Sequence, residues 1–135
     1  MLPPAAPIPA PEKVSVPAPA TRVSSREAAR FDQLGREHAG KENFQEALAM
    51  MNRAITLNPG YARAYNARGY VYLRMFNYPK AIADFSEAIR LDPVYANAYH
   101  NRSVARKLIG EKDGAAQDDR SAKKLAASVS LTASR

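Results

Sequence analysis

Residues 62–95 read ARAYNARGYVYLRMFNYPKAIADFSEAIRLDPVY, and a stretch of the same length and pattern stands on either side. A shift of 34 residues in each direction aligns Phe31, Tyr65 and Tyr99, then Ala47, Ala81 and Ala115. The same shift aligns Ala54, Ala88 and Ala122, then Leu57, Leu91 and Leu125. No insertion or deletion interrupts the copies 28–61, 62–95 and 96–129, and ten of 34 positions agree between the first two, too many for chance. A fixed period of this size marks a stacked-repeat architecture, in which each unit buries its apolar face only against its neighbours. Such arrays present a surface, so interaction is expected ahead of catalysis.

Each copy reads as two helices. In the quoted copy, Ala62 to about Met75 forms one and Pro79 to Leu91 the other, with a break at Phe76-Asn77. Asn77 suits an N-cap because its side-chain oxygen can accept from exposed amides, and Pro79 is tolerated in a first turn. Asn43 holds the same slot in the first copy, with Glu46 completing a capping-box pattern, and Ser24 with Glu27 offers another box before the first helix. Asn58-Pro59 and Asp92-Pro93 end the second helices, since proline disfavours helical geometry in the residue before it. Ala81, Phe85, Ala88 and Ile89 recur at three- and four-residue intervals and predict a buried helix face. Gly35, Gly69 and Ser103 follow the aromatic of each first helix by four, which permits close helix approach. Phe31, Tyr65, Tyr72, Phe85 and Tyr99 are therefore read as core residues.

The run Tyr65-x2-Arg68-Gly69-x2-Tyr72, then Ala81-x3-Phe85-x2-Ala88-x4-Pro93, resembles a tetratricopeptide repeat. The first copy matches through Phe31, Leu34, Gly35, His38, Ala47, Met51, Ala54 and Pro59, and the third through Tyr99, Ser103, Ala115 and Ala122. In the third, Asp119 stands where Phe85 stands, and Ala127 where Pro93 stands. The resemblance covers about 28–127 and has a bacterial, alanine-rich style. It implies an all-α fold: a right-handed superhelix of three antiparallel helix pairs, the first helix of each pair lining a concave groove. The expected layout is a tail over 1–24, a repeat domain over 25–127 and a frayed terminus over 128–135.

Comparison between copies adds two expectations. Asp119, with Gln117, Asp118, Arg120, Lys123 and Lys124 around it, makes the last helix polar outside, as a terminal cap requires. Leu34 and Met50 become Arg68 and Asp84, then Arg102 and Asp118, always 16 residues apart. Both slots change from apolar to charged together, which predicts contact between paired helices and an ion pair in copies two and three. As partly exposed pairs, these would be worth only ~0–1 kcal/mol each.

Seven of the ten prolines fall within residues 3–19, so the tail is expected to be disordered or polyproline-like. It has neither the basic start nor the apolar run of a signal peptide, and no 18-residue apolar stretch suggests a membrane span. This leans towards the cytoplasm while leaving open that the chain is a fragment. With no cysteine there are no disulfides or thiolate metal sites. The net charge of +7 is uneven: bases and acids number four and four in 28–61, five and three in 62–95, and seven and four in 96–129. That gradient suggests an acidic partner.

No constellation carries catalysis. His38 and His100 lie in different repeats without a carboxylate or serine at a useful spacing, and no metal-ligand cluster or phosphate-binding glycine loop is present. No enzymatic activity, metal or cofactor is expected. The first helices of copies two and three, 62–75 and 96–110, contain six bases and no acids. Arg63, Asn66, Tyr70 and Arg74 form one stripe at intervals of three or four, and Asn97, His100, Asn101 and Lys107 continue it, with Arg36 in copy one. Asparagine can pair with a peptide backbone, arginine with carboxylates, and an exposed tyrosine can anchor an interface. These nine residues are the expected site for an acidic or carboxylate-bearing peptide of a protein partner. Some members of the family clamp the acidic C-termini of Hsp70 and Hsp90. Here Asp32, Arg36, Ala67, Asn97 and Asn101 occupy the five clamp slots and all differ, so that narrower role is not expected. The alternatives are a self-association scaffold and, less favoured because exposed stacking aromatics are few, a nucleic-acid surface. The oligomeric state stays open.

Overall fold

The computed structural model describes residues 2–5 and 20–133, with side chains described as far as Ser130; most of the expected Pro/Ala tail, residues 6–19, lies outside them. Among the described residues six helices follow one another: α1 (Arg22–Gly40), α2 (Phe44–Leu57), α3 (Ala62–Arg74), α4 (Tyr78–Leu91), α5 (Ala96–Leu108) and α6 (Lys112–Ala133). They pair as α1/α2, α3/α4 and α5/α6, α2 and α4 join each pair to the next, and α1, α3 and α5 meet along the inner face. This is the all-α superhelix of three helix hairpins that the resemblance implies.

The caps explain most boundaries. Asn77 Oδ1 accepts from the Lys80 amide at 3.4 Å, and Asn58 and Asp92 close α2 and α4. Asn43 sits at the N-cap of α2 without a side-chain cap bond. The box expected at Ser24 is displaced: Thr21 Oγ1 accepts from the Ser24 amide at 3.1 Å, so α1 starts at Arg22 and Ser24 lies inside its first turn. At the other end, residues 128–133, expected to fray, are helical. Copies one and two stop at Asn58-Pro59 and Asp92-Pro93; the third has Ala126-Ala127 there, and α6 runs on past that point to Ala133.

The close approach of paired helices has a specific cause. Phe85 and Met51 are fully buried. A Cβ on Gly69 would lie 2.7 Å from Phe85 Cε1, and one on Gly35 would lie 2.8 Å from Met51 Cγ. Each glycine therefore makes room for the large residue 16 positions on, in the facing helix, rather than for the aromatic of its own helix. Phe85 also packs with Ala105 of the next repeat, as its position predicts. In copy three the pair becomes Ser103 and Asp119, and buried Ser103 Oγ donates to the Ala115 carbonyl at 2.9 Å.

The 16-residue co-variation is resolved as two bidentate ion pairs. Arg68 Nε and Nη2 reach Asp84 at 2.8 and 2.7 Å, and Arg102 Nε and Nη2 reach Asp118 at 2.9 and 2.7 Å. Their remaining nitrogens bridge backwards, Arg68 Nη1 to Asn52 at 2.9 Å and Arg102 Nη1 to Ser86 at 3.1 Å. Asp84 and Asp118 are buried, deeper than a surface pair, and the bond to Asp84 holds the Arg68 pKa above its usual value. Losing one partner therefore costs more than the surface value.

The outer face of the last hairpin is polar as expected: Lys107 Nζ lies 2.7 Å from Asp119 Oδ2, in slots that hold Leu73 and Phe85 one copy earlier. The Lys107 hydrogen bond depresses the Asp119 pKa below its usual value. A depressed carboxylate contributes stability that is fully present above its unfolded pKa and is lost as pH falls through the folded one. Asp119→Asn should thus be less stable than the parent at neutral pH, with the gap closing as acidification carries the pH from the unfolded-state pKa down through the lowered folded-state one. Urea unfolding midpoints measured across that range check this; a gap independent of pH would contradict it.

Candidate functional site

α1, α3 and α5 leave a groove of about 950 Å³ on the inner face. Arg36, Arg63, Asn66, Tyr70, Arg74, Asn97 and Asn101 line it. His100 is exposed outside it, and Lys107 turns to Asp119 on α6, so neither joins the other seven.

At one end lies Asp32, fully buried on α1. Its Oδ2 accepts from Arg36 Nε at 3.1 Å, from the Tyr61 hydroxyl at 3.5 Å, and stands 3.4 Å from Arg63 Nε. Its Oδ1 has no partner among the described residues. A buried carboxylate persists only when cations and donors offset its desolvation, and two guanidiniums do so here. Burial, then the Asp32 charge, pushes the Tyr61 hydroxyl above its usual pKa, so it remains a donor at neutral pH.

In the middle, Asn101 Nδ2 donates to Asn66 Oδ1 at 3.1 Å, and Asn66 Nδ2 donates to the Tyr95 hydroxyl at 3.3 Å. Asn66, expected to face a ligand, is mostly buried and committed to this chain linking α3 to α5. Asn97 is exposed on the groove wall. Burial holds the Tyr95 phenol above its ordinary pKa despite the opposing bond from Asn66.

At the far end Arg74 reaches Glu42 at 2.9 Å and lies over the rings of Phe44 and Tyr70, 5.7 and 6.0 Å from their centroids. Tyr70 is exposed.

The acid-free character of 62–75 and 96–110 changes meaning in three dimensions. Arg63 meets Asp32, Arg68 meets Asp84, Arg74 meets Glu42, Arg102 and Arg106 share Asp118, and Lys107 meets Asp119. All six bases are matched by acids from other helices or turns. Arg36 and Arg63 place two guanidiniums on the one carboxylate of Asp32. Tyr61, Asp92 and Tyr95 also line it and were not anticipated. A signal existed for two of them: Tyr61 and Tyr95 are identical in copies one and two, at the entry to α3 and α5.

Models of the tetratricopeptide-repeat family match residues 30–61 and 62–95. No curated protein matches the chain significantly. Among solved structures, the second tetratricopeptide domain of Spaghetti (RPAP3), bound to the HSP90 peptide SRMEEVD, is 25% identical with a TM-score of 0.74, covering 76% of this chain and 95% of that one. The TPR2B domain of yeast Sti1, in a complex with pHsp70, is 27% identical with a TM-score of 0.76, over 79% and 86%. MamA is 28% identical with a TM-score of 0.74, over 80% of this chain and 63% of its own. Both family matches fall on the copies that carry the full large-residue pattern, and the third copy continues the period, the hairpin and the buried ion pair of the second. The chain belongs to the tetratricopeptide-repeat family.

Proposed function

We propose that the inner groove captures an extended peptide carrying acidic side chains or a terminal carboxylate, and that the chain acts as a non-catalytic protein-interaction module. The observation that carries this reading is the pairing of Arg36 and Arg63 on buried Asp32. Both approach it through Nε, their side chains stay 44% and 52% exposed, and both line the groove. A carboxylate of the ligand would complete a network already prepaid by Asp32, with charge-assisted bonds stronger than neutral ones. Solved relatives hold HSP90 and Hsp70 peptides on this fold. Differences at Asp32, Arg36, Ala67, Asn97 and Asn101 argue for another sequence in this groove.

Charge reversal at Arg63 and Arg74, both to Glu, should weaken binding of a peptide ending in two acidic residues by at least about tenfold, roughly 1.4 kcal/mol. Fluorescence anisotropy measures it, with circular dichroism verifying that the helices persist. Unchanged affinity in the folded variant would remove the groove as the ligand site.

A further inference from the structure

Along α1, Arg22, Arg26, Arg30 and Leu34 follow one another at four-residue intervals. That spacing keeps them on one side of the helix, with a rise of about 6 Å between successive members. All four are exposed, Leu34 by 40%. Among the described residues no acid pairs with any of the three arginines, Glu27 included, whereas every base of α3 and α5 has one.

The row starts outside the repeat. α3 and α5 begin with the first residue of their copies, Ala62 and Ala96, but α1 begins at Arg22, six residues ahead of Ala28. Its first turn holds no acid. Cations there oppose the positive end of the helix dipole, and like charges four residues apart repel, so the row works against the helix that carries it. A polar end-cap has no need of such a row. The last hairpin meets that demand with matched charge, Lys107 on Asp119.

The same face receives a helix elsewhere in the molecule. Arg30 holds the slot of Ala64 and Ala98, and Glu37 that of Val71 and Ala105, all four of them fully buried. Ala64 clusters with Ala54, and Val71 with Ala47 and Met51, so α2 runs antiparallel across this face of α3. α4 covers α5 in the same way, Ala81 and Phe85 meeting Ala105. Among the described residues α1 touches only α2, its hairpin partner, and α3, and its own face is left open.

We propose that this face of α1 is a second docking surface, separate from the groove, which receives an acidic α-helix of a protein partner. The helix lies antiparallel to α1, as α2 lies on α3. It carries the pattern Leu-x3-Glu-x3-Glu-x3-Glu, so that its leucine meets Leu34 and its carboxylates meet Arg30, Arg26 and Arg22 in turn. Charge-assisted bonds then offset the repulsion within the row. Glu37, on the same face beyond Leu34, repels acids at that end and so fixes the direction. Phe31, the aromatic beside the row, is half-buried under Arg53, whose guanidinium lies 4.8 Å from its centroid, so the row offers no ring on which a base could stack.

The test titrates the whole chain by anisotropy against an alanine-rich helical peptide with that pattern, blocked at both ends so that no terminal carboxylate is present. Arg26→Glu with Arg30→Glu should weaken binding at least about tenfold. These changes place acids near a helix N-terminus, which favours the helix, and circular dichroism verifies it. Arg63→Glu with Arg74→Glu, the groove variant, should leave the affinity unchanged. If the peptide is lost in the groove variant and retained in the α1 variant, it binds in the groove and the second surface is wrong. Equal affinity for a peptide whose three Glu are moved off the four-residue row shows attraction by net charge alone and overturns the docked helix. If oligo-dT or phosphatidylserine vesicles bind through Arg26 and Arg30 while the peptide does not, the row serves phosphates and the acidic-helix partner is wrong.

Discussion

Replacing Phe85 with alanine is expected to destabilise the chain by about 3–5 kcal/mol, which rivals the whole stability of many domains of this size. Phe85 is fully buried and packs between Tyr72 and Leu73 of its own hairpin and Ala105 of the next. Its ring lies over Gly69, where even a Cβ would be 2.7 Å away, so no neighbouring side chain can swing in to fill the space that alanine leaves. The cavity opens at the joint between copies two and three, and solenoid stability is largely a sum of repeats and such joints. The loss should therefore appear first as separation of α5 and α6, read by hydrogen exchange or limited proteolysis, and then as a lower urea midpoint. A cost below about 1 kcal/mol would mean that Phe85 is not what couples the two hairpins.

Asp84→Met alone should cost about 3 kcal/mol, while Arg68→Leu with Asp84→Met should lie within about 1 kcal/mol of the parent. The single change leaves a guanidinium only 22% exposed without the carboxylate that it grips at 2.7 and 2.8 Å. The double change installs the apolar solution that copy one uses, with Leu34 and Met50 in the same two slots. Replacing a buried pair by matched hydrophobic residues is often neutral, whereas breaking it is not. Thermal or denaturant unfolding of the two singles and the double closes the cycle. A double variant whose cost equals the sum of the two singles would show that the two slots are not energetically coupled.

Much of the fold is legible in the sequence because the relevant distances are local or repeat with the period. Helices follow from three- and four-residue spacing, and hairpin contacts from the constant 16-residue offset. Co-variation at that offset is enough to match Arg68 with Asp84 and Arg102 with Asp118. The same offset underlies Gly35 with Met51 and Gly69 with Phe85, which co-variation does not reveal because a glycine has no side chain to change with its partner. The site is less legible. Seven residues of the nine-residue stripe line one groove, but Asn66 is tied up in a network with Tyr95 and Asn101. Lys107 leaves the groove because the facing slot, apolar as Phe85 one copy earlier, holds Asp119.

Sequence by itself determined the repeat, the three hairpins, the polar face of the last helix and the pairing inside each hairpin. Each follows from side-chain direction on a helix and from a fixed offset between antiparallel partners. Only the tertiary structure decided which charges remain available. Asp32 meets Arg63, and Glu42 meets Arg74, across separations of 31 and 32 residues that belong to neither helical periodicity nor the hairpin offset. Those encounters depend on how far one hairpin is rotated and displaced against the next. That stagger places two arginines on one buried carboxylate.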